Sequence, residues 1–241
     1  MRVTQQTAYV LHTRAFSETS LLVELLTHSQ GRLSVLAKGA RRLKSPFRGV
    51  LQPFQALVTG WSGKGELPVL TQAELQGRYH CLDYKSRVCG FYANELLMSL
   101  LQRRDPHQQL FSEYHSLMSA LSENTQRELA LRSFEKSLLQ EIGYGLILTH
   151  EVEQQKPIES EQWYRYFPET GPILETAQMS HESNWQSPLL VSGRVLKSIE
   201  CNDYPDDNVM VEAKRFMRRI LQLMVVGKPL HSRNLLYHTV H

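Results

Sequence analysis

Seven basic side chains fall between Leu25 and Gly65, namely Arg32, Lys38, Arg41, Arg42, Lys44, Arg48 and Lys64, and no Asp or Glu interrupts them. That stretch carries +7, against +3 for the whole chain. The chemistry such a stretch offers is polyanion binding. Each phosphate that a cation neutralises releases condensed counterions, so binding is salt-dependent and blind to sequence. Chain direction turns at Ser45-Pro46 and Gly49, so Arg41, Arg42, Lys44 and Arg48 can face one ligand. Phe47 sits among them, and an aromatic ring there could stack on an unpaired base. Phe54 and Trp61 are further aromatic candidates, but both have the spacing of core residues. The bland alternative for the charges is a solvated face.

A second basic set lies near the C-terminus. Lys214/Arg218 and Arg215/Arg219 are like-charge pairs four residues apart, which weaken a helix by a few tenths of a kcal/mol unless an anion sits opposite. Glu212 is the one acid close by in sequence, so a phosphate or an acidic peptide would relieve the repulsion. A merely solvated face is the competing reading. A third set is Arg132 and Lys136 beside Leu139, with Gly143-Tyr144-Gly145 following. A cation next to an apolar notch suits a peptide ending in an aromatic residue and a carboxylate. Its competitor is an intrahelical Glu128–Arg132 pair above packed leucines.

Signals for bond-making chemistry are poor. Gly60-Trp61-Ser62-Gly63-Lys64-Gly65 lacks the spacing and the Ser/Thr of a phosphate-binding P-loop and reads as a hairpin. His80-Cys81 and Cys89 form no CxxC, and no zinc-ligand spacing occurs. G-x-S-x-G and H-E-x-x-H are missing, and no carboxylate cluster suggests a two-metal nuclease. Asp203-Tyr204-Pro205-Asp206-Asp207 reads as a helix-capping loop. The expectation is a protein without enzymatic activity, metal or cofactor.

These residues need elements to hold them. At 241 residues, 41% hydrophobic and 21% charged, the chain can form one large domain or two small ones. Three scattered cysteines read as reduced thiols. Neither a signal peptide nor an apolar run long enough for a bilayer is evident, so the expected location is cytoplasmic, with no membrane partner. Charge is segregated: residues 66–209 hold 12 basic and 21 acidic side chains, and residues 210–241 hold six basic and one acidic.

The first 80 residues alternate like strands: Tyr9–Thr13, Ser20–Thr27, Arg32–Ala37, Ala56–Trp61 and Leu67–Leu75, with glycine turns between. Five short strands predict a small closed barrel of the OB type, with an SH3-like barrel as competitor. From Asp83 the period becomes helical. Val88, Tyr92, Leu96 and Leu100 mark one helix. A second starts at Asp105-Pro106 with Leu110, Tyr114, Leu117 and Leu121 inward, and a third spans about Gln126 to Ile142 and stops at Gly143. The three are expected to pack as a bundle. Residues 150–190 are weakly patterned, with one hairpin at Trp163–Phe167. Helical signal returns at Gly193–Glu200 and Asn208–Val225, followed by a short helical tail. The fold class is therefore α+β, with an OB-fold domain at 1–80 and a helical domain at 81–241 carrying an irregular insertion at about 150–190.

With these residues placed, the chain resembles the bacterial RecO family of recombination mediators over nearly its full length. The resemblance rests on Ser17-Glu18-Thr19-Ser20-Leu21, Gly31-Arg32, Ala37-Lys38-Gly39-Ala40-Arg41 and Leu51-Gln52-Pro53-Phe54. Further along it rests on Asn94-Glu95-Leu96-Leu97, Leu131-Arg132, Phe134-Glu135, Leu138-Leu139, Gly143-Tyr144-Gly145, Gly227-Lys228-Pro229-Leu230 and Ser232-Arg233. It implies an N-terminal OB-fold and a helical domain that bind single- and double-stranded DNA and anneal complementary strands. It also implies partnership with RecR in loading the strand-exchange recombinase, on DNA coated by single-strand binding protein, whose acidic, Phe-ended tail is a further ligand. Work on DNA implies association with the nucleoid.

By position, Arg132 matches a family residue associated with tail binding, and Lys38, Arg41, Arg42 and Lys44 fall in the family's DNA-contacting region. The candidate DNA set is therefore Arg32, Lys38, Arg41, Arg42, Lys44, Phe47, Arg48, Lys214, Arg215, Arg218 and Arg219. The candidate tail set is Arg132, Lys136, Leu139 and Tyr144. Some members carry a four-cysteine zinc site after the Gly-Tyr-Gly segment. His150 to Trp163 here holds no cysteine, which leaves the 151–161 loop without a metal tether. An RNA-binding OB protein of translation or decay, and a structural adaptor using the acidic middle, are the rival readings.

Overall fold

The structure, a computed structural model, describes residues 2–77, 81–123, 126–175, 189–225 and 230. They group into two compact units, one running to Arg127 and including Leu230, the other starting at Glu128. The expected tail at 231–241 lies outside the described residues.

The first unit opens with β1 (Arg2–Phe16), β2 (Ser20–Thr27), β3 (Gly31–Ala37), β4 (Ala56–Ser62) and β5 (Val69–Leu75). They close in the order β1-β2-β3-β5-β4, an OB-fold barrel. Inward residues Ala8, Val10, Val23, Leu25, Val35 and Leu57 are wholly enclosed. Strand β1 is longer than its alternation suggests because it serves two neighbours. It pairs with β4 through its first half and with β2 through its second, with register shifts between Val3 and Gln6 and between Val10 and His12. Such bulges bend a strand enough to turn a barrel corner. Where β3 meets β5 the pairing is parallel and short, with Leu36 opposite Val69 and the Leu36 amide donating to the Pro68 carbonyl at 2.9 Å.

Gly31 ends the β2–β3 turn at φ +63°, and a Cβ there would lie 2.0 Å from the Asp105 carbonyl oxygen. Conformation and space both demand glycine at that point. Two helices complete the unit, α1 (Tyr84–Leu100) and α2 (Gln108–Glu123). The second starts three residues after Asp105. Asp83 caps α1 by accepting from the Ser86 amide at 2.6 Å, and Arg127 donates to its other oxygen at 3.0 Å. The Ser86 amide first, and Arg127 further, hold the Asp83 carboxyl below its ordinary pKa. A buried relay fastens helices to barrel. The Asn94 amide donates to the Leu11 carbonyl at 2.9 Å and accepts from the Tyr114 hydroxyl at 2.6 Å, while Tyr114 packs edge-on against Tyr9.

The second unit holds α3 (Arg127–Glu141) from its second residue on, β6 (Trp163–Phe167), β7 (Gly171–Leu174), β8 (Leu189–Ser192), α4 (Gly193–Cys201) and α5 (Asp207–Met224). Its sheet has the order β7-β6-β8, so the expected hairpin gains a third strand. The expected three-helix bundle is divided: α1 and α2 belong to the first unit and α3 to the second. Gly143, at φ +84°, stops α3 and lets the Tyr144 amide return to the Leu139 carbonyl at 2.8 Å. Asp206 caps α5 through the Val209 amide at 3.0 Å, as the acidic loop suggested.

Glu151 organises the loop that lacks cysteines. Its carboxylate accepts from the backbone amides of Gln154 at 2.7 Å, Glu153 at 2.9 Å and Lys156 at 3.3 Å. Burial works to raise its pKa, but those three amides and the Lys156 charge together outweigh burial, so the carboxyl lies below its ordinary range. A depressed carboxyl stabilises the fold above its unfolded-state pKa and loses that contribution as pH falls through the folded-state value. Glu151→Gln should therefore speed hydrogen exchange at the 153, 154 and 156 amides at neutral pH. The wild-type loop should show the same loosening only in acid. Equal protection in both proteins at neutral pH would remove this role.

Candidate nucleic-acid interface

The loop between β3 and β4 is a chain of tight turns. The Arg42 amide donates to the Gly39 carbonyl at 3.0 Å, Ser45 to Arg42 at 3.1 Å, Arg48 to Ser45 at 3.2 Å and Val50 to Phe47 at 3.2 Å. Four apolar residues of the loop point inward. Ala40 and Leu51 are buried, and Phe47 and Val50 pack against the barrel core. Outward go Lys38, Arg41, Arg42, Lys44 and Arg48, all exposed. Among the described residues none of these five cations forms an ion pair with a carboxylate. Two are steadied by carbonyls: Arg41 donates to Ser17 at 3.2 Å, and Arg48 to Leu43 at 3.3 Å. The loop is fixed at its base too, with the Arg41 amide donating to the Thr19 carbonyl at 2.9 Å. The result is a held backbone carrying uncompensated positive charge, with the tip residue Leu43 81% exposed.

Two members of the candidate set sit differently. Phe47 is half-buried, so its ring anchors the loop at least in part. Arg32 lies at the far end of β3, about 20 Å along the strand from Lys38 at ~3.3 Å per residue. Its guanidinium donates to the Met98 carbonyl at 2.9 Å and is half-buried. Burial lowers its pKa, Glu24 offsets that, and Arg103 adds to it. Glu24 in turn accepts from Ser34 at 2.5 Å and from Arg103 at 2.8 Å. Phe54 and Trp61 are both 6% exposed, so neither offers a free face.

In the second unit, α5 buries Val209, Ala213, Phe216, Met217, Ile220 and Leu221 and turns Lys214, Arg215, Arg218 and Arg219 outward. Lys214 has a partner that the sequence did not suggest, Glu128 at 2.9 Å. Arg215, Arg218 and Arg219 form no ion pair among the described residues. The α3 set is dispersed. Arg132 is 4% exposed and binds Glu135 at 2.8 Å, while Leu139 is fully enclosed. Lys136 donates to the Ile199 and Glu200 carbonyls at 3.1 and 2.7 Å, the favourable place for a cation at the end of α4. Tyr144 is 46% exposed. The Glu128–Arg132 pair, open on spacing, does not form: Glu128 turns to Lys214 and Arg132 to Glu135.

No helix among the described residues is long and apolar enough to cross a membrane. Among those residues, too, no group of three or more His, Cys, Asp or Glu side chains could hold a metal ion.

A closed OB barrel with two helices, followed by a mixed helical and three-stranded unit, defines an α+β protein of the OB class. Residues 1–79 match the family Recombination protein O N terminal, and residues 81–234 match Recombination protein O C terminal. The chain is 44% identical to the DNA repair protein RecO of Nitrosospira multiformis over 96% of this chain and 93% of that one. It is 42% identical to the protein of the same name from Nitrosococcus oceani, over 98% and 94%. A Coxiella burnetii relative, again named DNA repair protein RecO, is 39% identical over 98% and 99%. The chain belongs to the RecO family of DNA repair and recombination proteins.

Proposed function

We propose that this protein is a DNA-binding recombination mediator that acts by holding strands rather than by making or breaking bonds. The observation that carries the reading is the β3–β4 loop, whose five outward cations lack carboxylate partners among the described residues while its backbone is pinned to the barrel. Single and double strands share the phosphate repeat that such a loop takes. Two strands screened together lose their mutual repulsion, and complementary bases can then pair. In this reading the protein works with RecR to load the strand-exchange recombinase onto DNA coated by single-strand binding protein, in the cytoplasm at the nucleoid.

Capture of the coating protein's tail belongs to the same reading and falls to the α3 face. Arg132 Nε is enclosed with no acceptor among the described residues, although the guanidinium is paired to Glu135. A terminal carboxylate reaching it would compete with Glu135, and the half-exposed Tyr144 ring would border the incoming aromatic side chain.

The test is affinity for a labelled oligonucleotide against salt. Log affinity should fall linearly with log salt, and annealing of complementary strands should fade over the same range. Indifference to oligonucleotides in dilute buffer would overturn the reading. Co-purification with RecR and single-strand binding protein separates this mediator from an RNA-binding protein of the same fold.

A further inference from the structure

Strand β6 turns Tyr164 and Tyr166 into the core, 2% and 1% exposed, and by alternation turns Trp163 out, 48% exposed. Trp163 borders a groove of about 360 Å³ with Leu190 and Val191 of β8 and with Glu212, Arg215 and Arg219 of α5. Phe216 forms its floor and is itself fixed edge-on against Tyr166 at 5.0 Å. The volume falls within the ~300–1,000 Å³ of small-ligand sites, ample for one nucleobase. Every described lining residue lies within the second unit.

From this geometry we infer that the groove takes a base of single-stranded nucleic acid, stacked on the Trp163 indole, with the adjoining phosphates on Arg215 and Arg219. The inference rests on the DNA-binding reading above and adds to it a strand-selective site apart from the barrel loop. Charge complementarity selects this occupant. Arg215 and Arg219 stand four residues apart, about 6 Å along the helix, and neither has a carboxylate partner among the described residues. Among the described residues, Arg218 adds a third exposed cation without a carboxylate partner on the same helix, and Glu212 is the sole acid in the lining. An anionic ligand relieves the like-charge strain between Arg215 and Arg219. An exposed indole on a strand, backed by ordered aromatics, is the flat platform that unpaired bases use and that a duplex, with its bases stacked inside, cannot reach. Phosphate contacts alone would not distinguish the two forms, whereas the indole does.

The experiment compares oligothymidylate with a duplex of equal length, by fluorescence anisotropy across a salt series, for the full-length protein and three variants. Trp163→Ala should weaken oligothymidylate binding by roughly 5- to 100-fold, leaving duplex binding and the salt slope unchanged. Trp163→Phe should restore most of the loss. Arg215→Ala/Arg219→Ala should lower affinity for both forms and reduce the single-strand slope by about 1.4. An oligothymidylate affinity untouched by Trp163→Ala overturns the inference, as does an equal loss for single strand and duplex. So does Trp163-dependent binding of an acidic, Phe-ended peptide with oligothymidylate binding unaffected, which would assign the groove to a peptide. Failure of the wild-type protein to bind either nucleic acid strikes the underlying DNA reading instead, so the two failures are told apart.

Discussion

Replacing Arg41, Arg42 and Lys44 together by alanine should cut single-strand affinity roughly a hundred-fold at low salt and flatten the log–log salt slope by about two. Each cation on a single-strand phosphate contributes ~0.7 to that slope, so three such cations contribute about 2.1. The fold should survive. All three side chains are exposed, and the inward residues Ala40, Phe47, Val50 and Leu51 remain. The hydrogen bonds that shape the turns run between backbone groups, including the one from the Arg41 amide to Thr19, and alanine keeps them. Alanine does remove the hydrogen bond that the Arg41 guanidinium donates to the Ser17 carbonyl, an exposed bond at the surface of the loop. Slope and affinity must change together. A slope equal to wild type would show that these cations do not face phosphate, even if affinity fell for another reason.

The second large effect concerns stability. Arg132 and Glu135 form an ion pair whose side chains are 4% and 1% exposed. Tyr204 lies close enough for both charges to act on it: burial pushes its pKa up to about 12, with Arg132 lowering it and Glu135 raising it. Removing one partner of such a pair leaves a buried charge without its counter-ion, typically a loss of ~3–5 kcal/mol. Arg132→Ala and Glu135→Ala should each lower the unfolding free energy by that amount, read as a shift of the denaturant midpoint to lower concentration. Arg132→Met/Glu135→Leu should recover most of it, since an apolar pair of similar volume has no desolvation cost to offset. Single variants as stable as wild type would show that water or a neighbour replaces the missing partner. The double variant therefore matters for any peptide-capture assay. It separates a folding defect in Arg132→Ala from a direct effect on ligand binding.

The barrel was legible in residue order because its strands alternate and its turns carry glycine. Ser20–Thr27 runs as read, and Ala56–Trp61 and Arg32–Ala37 are each short by a single residue. The first strand was read too short. Thr4-Gln5-Gln6-Thr7 has no apolar alternation, since bulges around Gln5, at φ +53°, take it out of strict register. Strand β8 escaped notice because four residues give too little pattern, and its partner is β6, more than twenty positions earlier. Amphipathic spacing located all five described helices but could not say which neighbours they pack on. A helix stripe records that it is buried, not against what.

The cations show the same division. Their clustering in the β3–β4 loop and along α5 could be read directly. The pairing of Lys214 with Glu128, and the choice of Glu135 over Glu128 by Arg132, depends on which helix comes alongside. Arg32 looked like one more member of the basic run, but its strand carries it to the other end of the barrel. Trp163 had a usable signal in Trp-Tyr-Arg-Tyr-Phe. If the tyrosines face the interior, the indole must face out. Its arginine neighbours come from α5, some fifty residues later, and only folding brings them together.

The seam between β3 and β5 has a mechanical consequence. With Leu36 opposite Val69 as the sole register pair, and one bond from the Leu36 amide to Pro68, this edge is the least laced in the barrel. The cationic loop springs from the very next residue after β3. A strand that tugs on the loop would thus part the wall at its loosest stitch, leaving the remaining ladders zipped. On the proposed DNA-binding reading, that give would let the module suit single strands or a stiffer duplex without unravelling.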